Sequence, residues 1–344
     1  MKPDAGKSHP ALEAIANHVA VLSDEHVQIG EEEICISDVN WQTQDAHQRI
    51  ESPLRYSLHR LLYSRFYTRG TTSPSPDSQA ETSPVDASPA EEGADLLSPP
   101  RLRMDHGWRI KAVLPNGSIA AEKGNAISTF GPGQFLNSAG PAALKVDGEV
   151  SVHVLAESST HLPGFHFHFG QVPAEPIPSM HPIRFYLNCT EVGAKELARQ
   201  ISARFDHMLI PCRLKHPVRT EQFARCDSLV VYVRPDHLVP AFRQLSEIQV
   251  RTSSMLEEKI PLFTRRLAPG FAIAESPPDG RSFGSDRCDL IAAGLERAFR
   301  DQCTKPEAQL EQILKVFSAK GVPPDRPHLN DARDTWGIDA LEAL

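Results

Sequence analysis

The short run Ile183-Arg184-Phe185-Tyr186-Leu187-Asn188 carries the first residues able to do chemistry. Side chains alternate across a strand, so Ile183, Phe185 and Leu187 share one face and Arg184, Tyr186 and Asn188 the other. In Cys212 to Lys215, Arg213 and Lys215 share a face opposite Cys212 and Leu214; in Leu229 to Val233, Tyr232 shares one with Val230. If these strands are neighbours, Arg184, Tyr186, Lys215 and Tyr232 meet on one sheet face. Cationic and phenolic groups packed together suit an anion, above all a phosphate. The plainer alternative is an exposed face carrying surface ion pairs.

Three further places could act. Glu275 to Cys288 (ESPPDGRSFGSDRC) leads into a helical pattern, so Ser282 or Ser285 can cap it and Arg287 falls in or near the first turn. A helix N-terminus with an Arg beside it can hold an anion, although ordinary capping is the commoner use. In Phe165-His166-Phe167-His168-Phe169 the two histidines share a face of an expected strand. They are candidates for a general acid, and zinc would need a third protein ligand, for which only His153 and His161 suggest themselves. No metal is assigned. Lys123, in Ala121-Glu122-Lys123-Gly124, ends an expected strand and either lies on the surface or reaches into a cleft. No phosphate-binding Walker loop, HExxH, CxxC or dinucleotide fingerprint occurs.

These residues need a sheet to position them. Trp108 to Leu114, Ser118 to Lys123, Val150 to Leu155 and Phe165 to Phe169 read as strands divided by Gly and Pro turns. After them, Ile183 to Asn188, Cys212 to Lys215 and Leu229 to Val233 alternate with helices. Those helices are marked by Ala194 to Phe205, Asp236 to Ile248, Leu290 to Phe299 and Leu310 to Phe317. The order predicts an α+β fold with a mixed or antiparallel sheet and flanking helices. Leu12, Ile15, Val19 and Leu22 mark a first helix. Ile50 to Phe66 mark a second that starts or kinks at Pro53, with a short strand near Glu33 to Ser37 between them. Residues 1–69 are thus expected to form a small helical unit. Residues 70–101 are a disordered acidic Pro/Ser-rich insertion, 102–320 the main domain and 321–344 a loosely held tail.

Six of the acids (Asp77, Glu81, Asp86, Glu91, Glu92, Asp95) fall between Thr71 and Pro100, where there is no Lys or Arg. Removing them from the net charge of −8 leaves about −2, too little for a field that would attract nucleic acid. The six cysteines have neither zinc-ribbon nor disulfide-scaffold spacing. With no signal-like apolar N-terminus and no membrane-length apolar run, they suggest a cytoplasmic protein with reduced thiols.

The segment from Arg184 to Leu295 resembles the HopPsyA-like (HopA) family of type III effectors and its stand-alone relatives in class V lanthipeptide and thioamitide biosynthesis. The resemblance rests on Arg184-Phe185-Tyr186-Leu187-Asn188, Glu191-Val192-Gly193-Ala194, Pro211-Cys212-Arg213-Leu214-Lys215 and Arg225-Cys226-Asp227 before Val231-Tyr232-Val233. It continues through Phe263-Thr264, Leu267-Ala268-Pro269-Gly270, Ala274-Glu275, Ser282-Phe283-Gly284 and Arg287-Cys288. In the peptide pathways such proteins work with a kinase-like partner. The kinase phosphorylates a precursor peptide, and the HopA-like protein eliminates phosphate to leave dehydroalanine or dehydrobutyrine. The resemblance therefore implies a phosphoserine/phosphothreonine lyase that needs no cofactor. It implies Arg184, Arg225 and Arg287, with the helix start at Ser282, as phosphate ligands and Lys215 as base. Chemistry alone adds Lys123 as alternative base and His166, His168 or Tyr232 as the acid. The alternatives are an effector-like module that binds a phosphorylated or acidic partner, secreted into a host cell in that case, and a leader-peptide-binding scaffold.

Overall fold

The computed structural model describes residues 8–36, 50, 52–73, 101–124, 126–137, 140, 144–172 and 181–343. The expected disordered segment, 70–101, lies outside them except at 70–73 and 101. The centre of the fold is a seven-stranded sheet of β9 (Glu157–Leu162), β10 (Phe165–Phe169), β11 (Ile183–Leu187), β12 (Cys212–Pro217), β13 (Leu229–Val233), β14 (Arg265–Ala268) and β15 (Phe271–Glu275). Its order is β14-β15-β11-β13-β12-β10-β9, and every neighbouring pair is antiparallel.

One face of this sheet buries Ile183, Phe185, Leu187, Leu214, Val231, Val233 and Ile273 against α3 (Glu191–His207) and α4 (Leu238–Arg251). Helix α3 forms because Ala194, Leu197, Ala198, Ile201 and Phe205 make one apolar stripe and the Thr190 side chain caps the amide of Gly193. The other face carries Tyr186, Val230, Tyr232, Ala272 and Ala274 into a second core with α1 (Pro10–His18), α2 (Pro53–Leu62), α5 (Phe283–Arg300) and α6 (Pro306–Ala319). Each fully buried aliphatic or Phe side chain in these layers contributes about 1.5–3 kcal/mol. The two glycines of α5 permit close approach. A Cβ on Gly294 would meet the Ile313 Cα of α6 at 2.5 Å, and one on Gly284 would meet the Tyr67 ring at 2.2 Å.

A second, five-stranded sheet orders β4 (Leu102–Val113), β5 (Ile119–Lys123), β6 (Ala126–Phe130), β7 (Phe135–Leu136) and β8 (Glu149–Leu155) as β6-β5-β4-β8-β7. It has its own core of Trp108, Ile110, Ile119, Ala121, Phe130, Val150 and Val152.

The N-terminal elements differ from a purely helical unit. Helix α1 stops at His18, short of Val19 and Leu22, because Val19–Val21 forms β1, which pairs with β2 (His26–Ile29) and through it β3 (Glu32–Cys35). The β-branched Val19 and Val21 favour that extended backbone. Helix α2 does start at Pro53, with Ser52 as its cap, and runs into a π-helical turn, Tyr63–Tyr67. The tail is not loose either: Leu329, Ile338 and Leu341 are buried in the core on the α3–α4 face, so their burial holds it down. Among the described residues no helix is long and apolar enough to cross a membrane.

Candidate functional site

The register of three central strands assembles the site. Tyr232 of β13 stands opposite Arg184 of β11 on one side and Arg213 of β12 on the other. One pleat further along, Val230 stands between Tyr186 and Lys215. Arg184, Tyr186, Lys215 and Tyr232 therefore do share one face, joined by Arg213. The Arg184 guanidinium lies 5.2 Å from the Tyr232 ring centroid and that of Arg213 4.6 Å from it. The Lys215 ammonium sits 4.2 Å from the Phe165 ring centroid and neighbours the Tyr232 hydroxyl.

The electrostatics of this cluster are lopsided. Arg184 donates from Nε to Ser276 Oγ at 2.7 Å and from its terminal nitrogen to the Arg281 carbonyl at 2.7 Å, both neutral acceptors. Among the described residues, none of Arg184, Arg213 and Lys215 forms a salt bridge with a carboxylate. Asp227 feels the Lys215 charge, yet Arg225 already holds it with two bonds of 2.8 Å. Burial alone would raise the Tyr232 phenol. The Lys215, Arg184 and Arg213 charges outweigh that and hold it below the ordinary tyrosine value. Tyr186 is 2% exposed, and its hydroxyl, beside Tyr67, has no well-aligned hydrogen bond among the described residues.

Arg213 also walls a cleft of about 640 Å³ between the two sheets. Facing it from the five-stranded sheet are Arg103, Asp105, Trp108 and Lys123, with His161 and Phe169 on the β9–β10 side. Lys123 reaches into this cleft, where its Nζ pairs with Asp105 at 3.1 Å. Asp105 also accepts from Arg103 at 3.1 Å and from Trp108 Nε1 at 2.7 Å.

Five expected residues fall elsewhere or are occupied. His166 and His168 pair with His216 and Leu214, which places them on the sheet face opposite Lys215. They cannot reach a group bound beside Tyr232 without crossing the sheet. Arg225 donates to Asp227 and to the Tyr63 hydroxyl at 2.8 Å, so its fork is filled. Arg287, 1% exposed, donates to Asp286, the carbonyls of Pro327 (2.7 Å) and Leu329 (2.9 Å), and Asn330 Oδ1 (2.8 Å). It anchors the tail. Ser282 is the N-cap residue of α5 without a side-chain capping bond, and its first turns already hold Asp286 and Asp289 against Arg281 and Arg55. Those carboxylates satisfy the helix dipole that an anion would otherwise use.

Arg213 joins this cluster although the sequence reading gave it no role. Its signal was present in the alternation of Cys212 to Lys215, but its value depends on meeting Tyr232 and the cleft. His161 lies against Phe167 and Phe169 on the face of Lys215, so it is not the third partner of His166 and His168.

The fold and site define a three-layer antiparallel α+β domain with an unbalanced cationic cluster on its central sheet. The chain belongs to the HopA1 effector protein family, whose profile matches residues 156–329. That span holds the whole seven-stranded sheet, while the five-stranded sheet lies outside it. Two solved structures are similar. The effector protein from Pseudomonas syringae pv. tomato strain DC3000 is 21% identical over 49% of this chain and 63% of that one, with a TM-score of 0.40. The effector protein from Pseudomonas syringae pv. syringae strain 61 is 19% identical over 48% of this chain and 63% of that one, with a TM-score of 0.38. The match thus spans less than two thirds of either solved chain. No curated protein matches.

Proposed function

We propose that this protein binds a phosphorylated Ser or Thr side chain against Tyr232 and eliminates its phosphate, leaving a dehydroamino acid. The observation that carries the reading is the set of three cations, Arg184, Arg213 and Lys215, around one phenol with no carboxylate salt bridge to any of them among the described residues. Three positive charges match a phosphate dianion together with a phenolate. Arg213, on the cleft wall, meets the phosphate first, and the cleft accommodates the flanking peptide.

Elimination needs a base for the Cα proton and an acid for the leaving oxygen. The expectation put the base on Lys215. The electrostatics favour the reverse, because Tyr232 is the group whose acid–base equilibrium the surrounding charges pull down. The Tyr232 phenolate takes the Cα proton, and the C–H electron pair becomes the Cα=Cβ bond. The Cβ–O bond breaks with its electron pair on phosphate, which accepts a proton from the Lys215 ammonium. Arg184 and Arg213 stabilise the departing charge. No step calls for a cofactor. A kinase-like protein that phosphorylates a precursor peptide is the partner this chemistry asks for.

A second reading keeps the binding and drops the chemistry. Tyr232 and Arg184 are each only 7% exposed, so a phosphate held at Arg213 alone would make an effector-like or leader-peptide-binding module. Mass spectrometry of a phosphothreonine peptide incubated with the protein separates the two. Loss of phosphoric acid that disappears in Tyr232→Phe supports the lyase. Loss of phosphate with gain of water would mean hydrolysis and end the elimination mechanism. An unchanged peptide that still binds, also when a kinase partner is present, leaves the binding module.

A further inference from the structure

The sheet face opposite Lys215 carries a cluster that the proposed lyase does not use. Glu157 of β9 stands opposite His168 of β10, and His166 of β10 stands opposite His216 of β12. Glu157 Oε2 lies 3.4 Å from His166 Nε2, and Glu157 Oε1 lies 3.5 Å from His168 Nδ1. One donor atom from each of these three residues falls within 4.8 Å of the other two. His168 Nε2 is 3.2 Å from His216 Nε2, and His216 Nδ1 is 2.8 Å from the Pro217 carbonyl oxygen.

The chain of hydrogen bonds fixes the tautomers. A carbonyl oxygen only accepts, so His216 Nδ1 carries a proton and, in the neutral ring, its Nε2 accepts. His168 Nε2 must then donate to it. That leaves a lone pair on His168 Nδ1, and it is aimed at the Glu157 carboxylate. A lone pair facing a carboxylate, with a second imidazole nitrogen beside them, calls for a cation in between.

We propose that Glu157, His166 and His168 bind a divalent first-row transition-metal ion, zinc being the best fit. Two imidazoles and one carboxylate are a donor set of this class. A tetrahedral ion with bonds of about 2.0–2.1 Å sets its donors roughly 3.3 Å apart, close to the distance of each carboxylate oxygen from its own imidazole nitrogen. His216 is the positioning residue: it takes the outer N–H of His168 and is itself held by Pro217, the arrangement that orients a metal-bound imidazole. Three protein ligands leave one coordination position open to water or a ligand side chain. The ion would tie the edge strand β9 to β10. It lies on the other side of the sheet from Tyr232, so this site stands independently of the lyase reading.

The test uses the full chain without a histidine tag, stripped with a chelator and titrated with Zn(II) by calorimetry or with Co(II) by visible absorption. The expected result is one equivalent bound, with a Co(II) ligand-field band that Zn(II) displaces. Glu157→Gln and His166→Ala, both at partly exposed positions, should abolish that equivalent while the far-UV circular dichroism stays native. His216→Ala should weaken it about 10–100-fold without removing it. An absence of one-equivalent binding, or binding unchanged in Glu157→Gln and His166→Ala, overturns the assignment.

Discussion

Replacing Arg287 with Ala separates an anchoring arginine from a phosphate ligand. The side chain is 1% exposed and fills four acceptors: Asp286, the Pro327 and Leu329 carbonyls, and Asn330. Its loss strands two backbone carbonyls and a side-chain amide oxygen in the interior. Removing one member of a buried ion pair costs about 3–5 kcal/mol. Asp286 keeps Arg281 at 2.8 Å, which argues for the low end, about 3 kcal/mol. At roughly 2–4 °C per kcal/mol for domains of ~150–250 residues, Tm should fall by about 6–12 °C. Thermal unfolding by circular dichroism reads this directly, and limited proteolysis should show the 321–344 tail cut first. Phosphopeptide affinity, measured below the new Tm, should stay near that of the unchanged protein. A variant with native Tm that has lost phosphopeptide binding would refute the anchoring role and return Arg287 to the site.

Gly284→Ala should destabilise by about 1–3 kcal/mol, because its Cβ would enter the buried Tyr67 ring; denaturant unfolding gives the value. His59, held to about 4 by burial, stays neutral in the fold while the unfolded chain takes a proton near 6.5. Stability should therefore fall as pH drops from 6.5 towards 4, by up to about 3 kcal/mol, and His59→Leu should flatten that part of a urea-midpoint profile against pH. The Tyr232 phenol is held below its ordinary value partly by Lys215, so Lys215→Met should move the lowest tyrosine titration upward in ultraviolet difference spectra. Tyr232→Phe should remove that titration altogether. Saturating Zn(II) should raise the Tm of the chelator-stripped protein and leave that of Glu157→Gln unchanged.

How much of this was legible depended on distance along the chain. Alternation within Ile183–Leu187 and Leu229–Val233 showed which residues share a face, because period two is local information. Whether His166 and His168 join Lys215 depended on the pairing of Phe167 with Lys215, a register fixed only when β10 docks on β12. The occupied forks of Arg225 and Arg287 were out of reach for a similar reason: Arg225 is filled in part by Tyr63, 162 residues away, and Arg287 by the tail about 40 residues on. Strand β15 was missed because Phe271-Ala272-Ile273-Ala274 has two alanines and no polar residue before Glu275, so neither β-propensity nor polar alternation marks it. Glu157 joins the histidines only through strand pairing, and no local spacing marks it. The α+β order itself came through, since it rests on periodicities that each element carries alone.

Both the lyase and the binding module require that the unbalanced cations around Tyr232 hold phosphate. Isothermal titration of one peptide in phosphothreonine and threonine forms, against the unchanged protein and Arg213→Ala, tests this most directly. The phosphorylated form should bind more tightly, and Arg213→Ala should weaken it by about 10-fold or more, the worth of a charge-assisted hydrogen bond of ~1.5–3 kcal/mol, while the threonine form is unaffected. Equal affinity for the two forms, or an Arg213→Ala protein that binds phosphopeptide as well as the original, would contradict it.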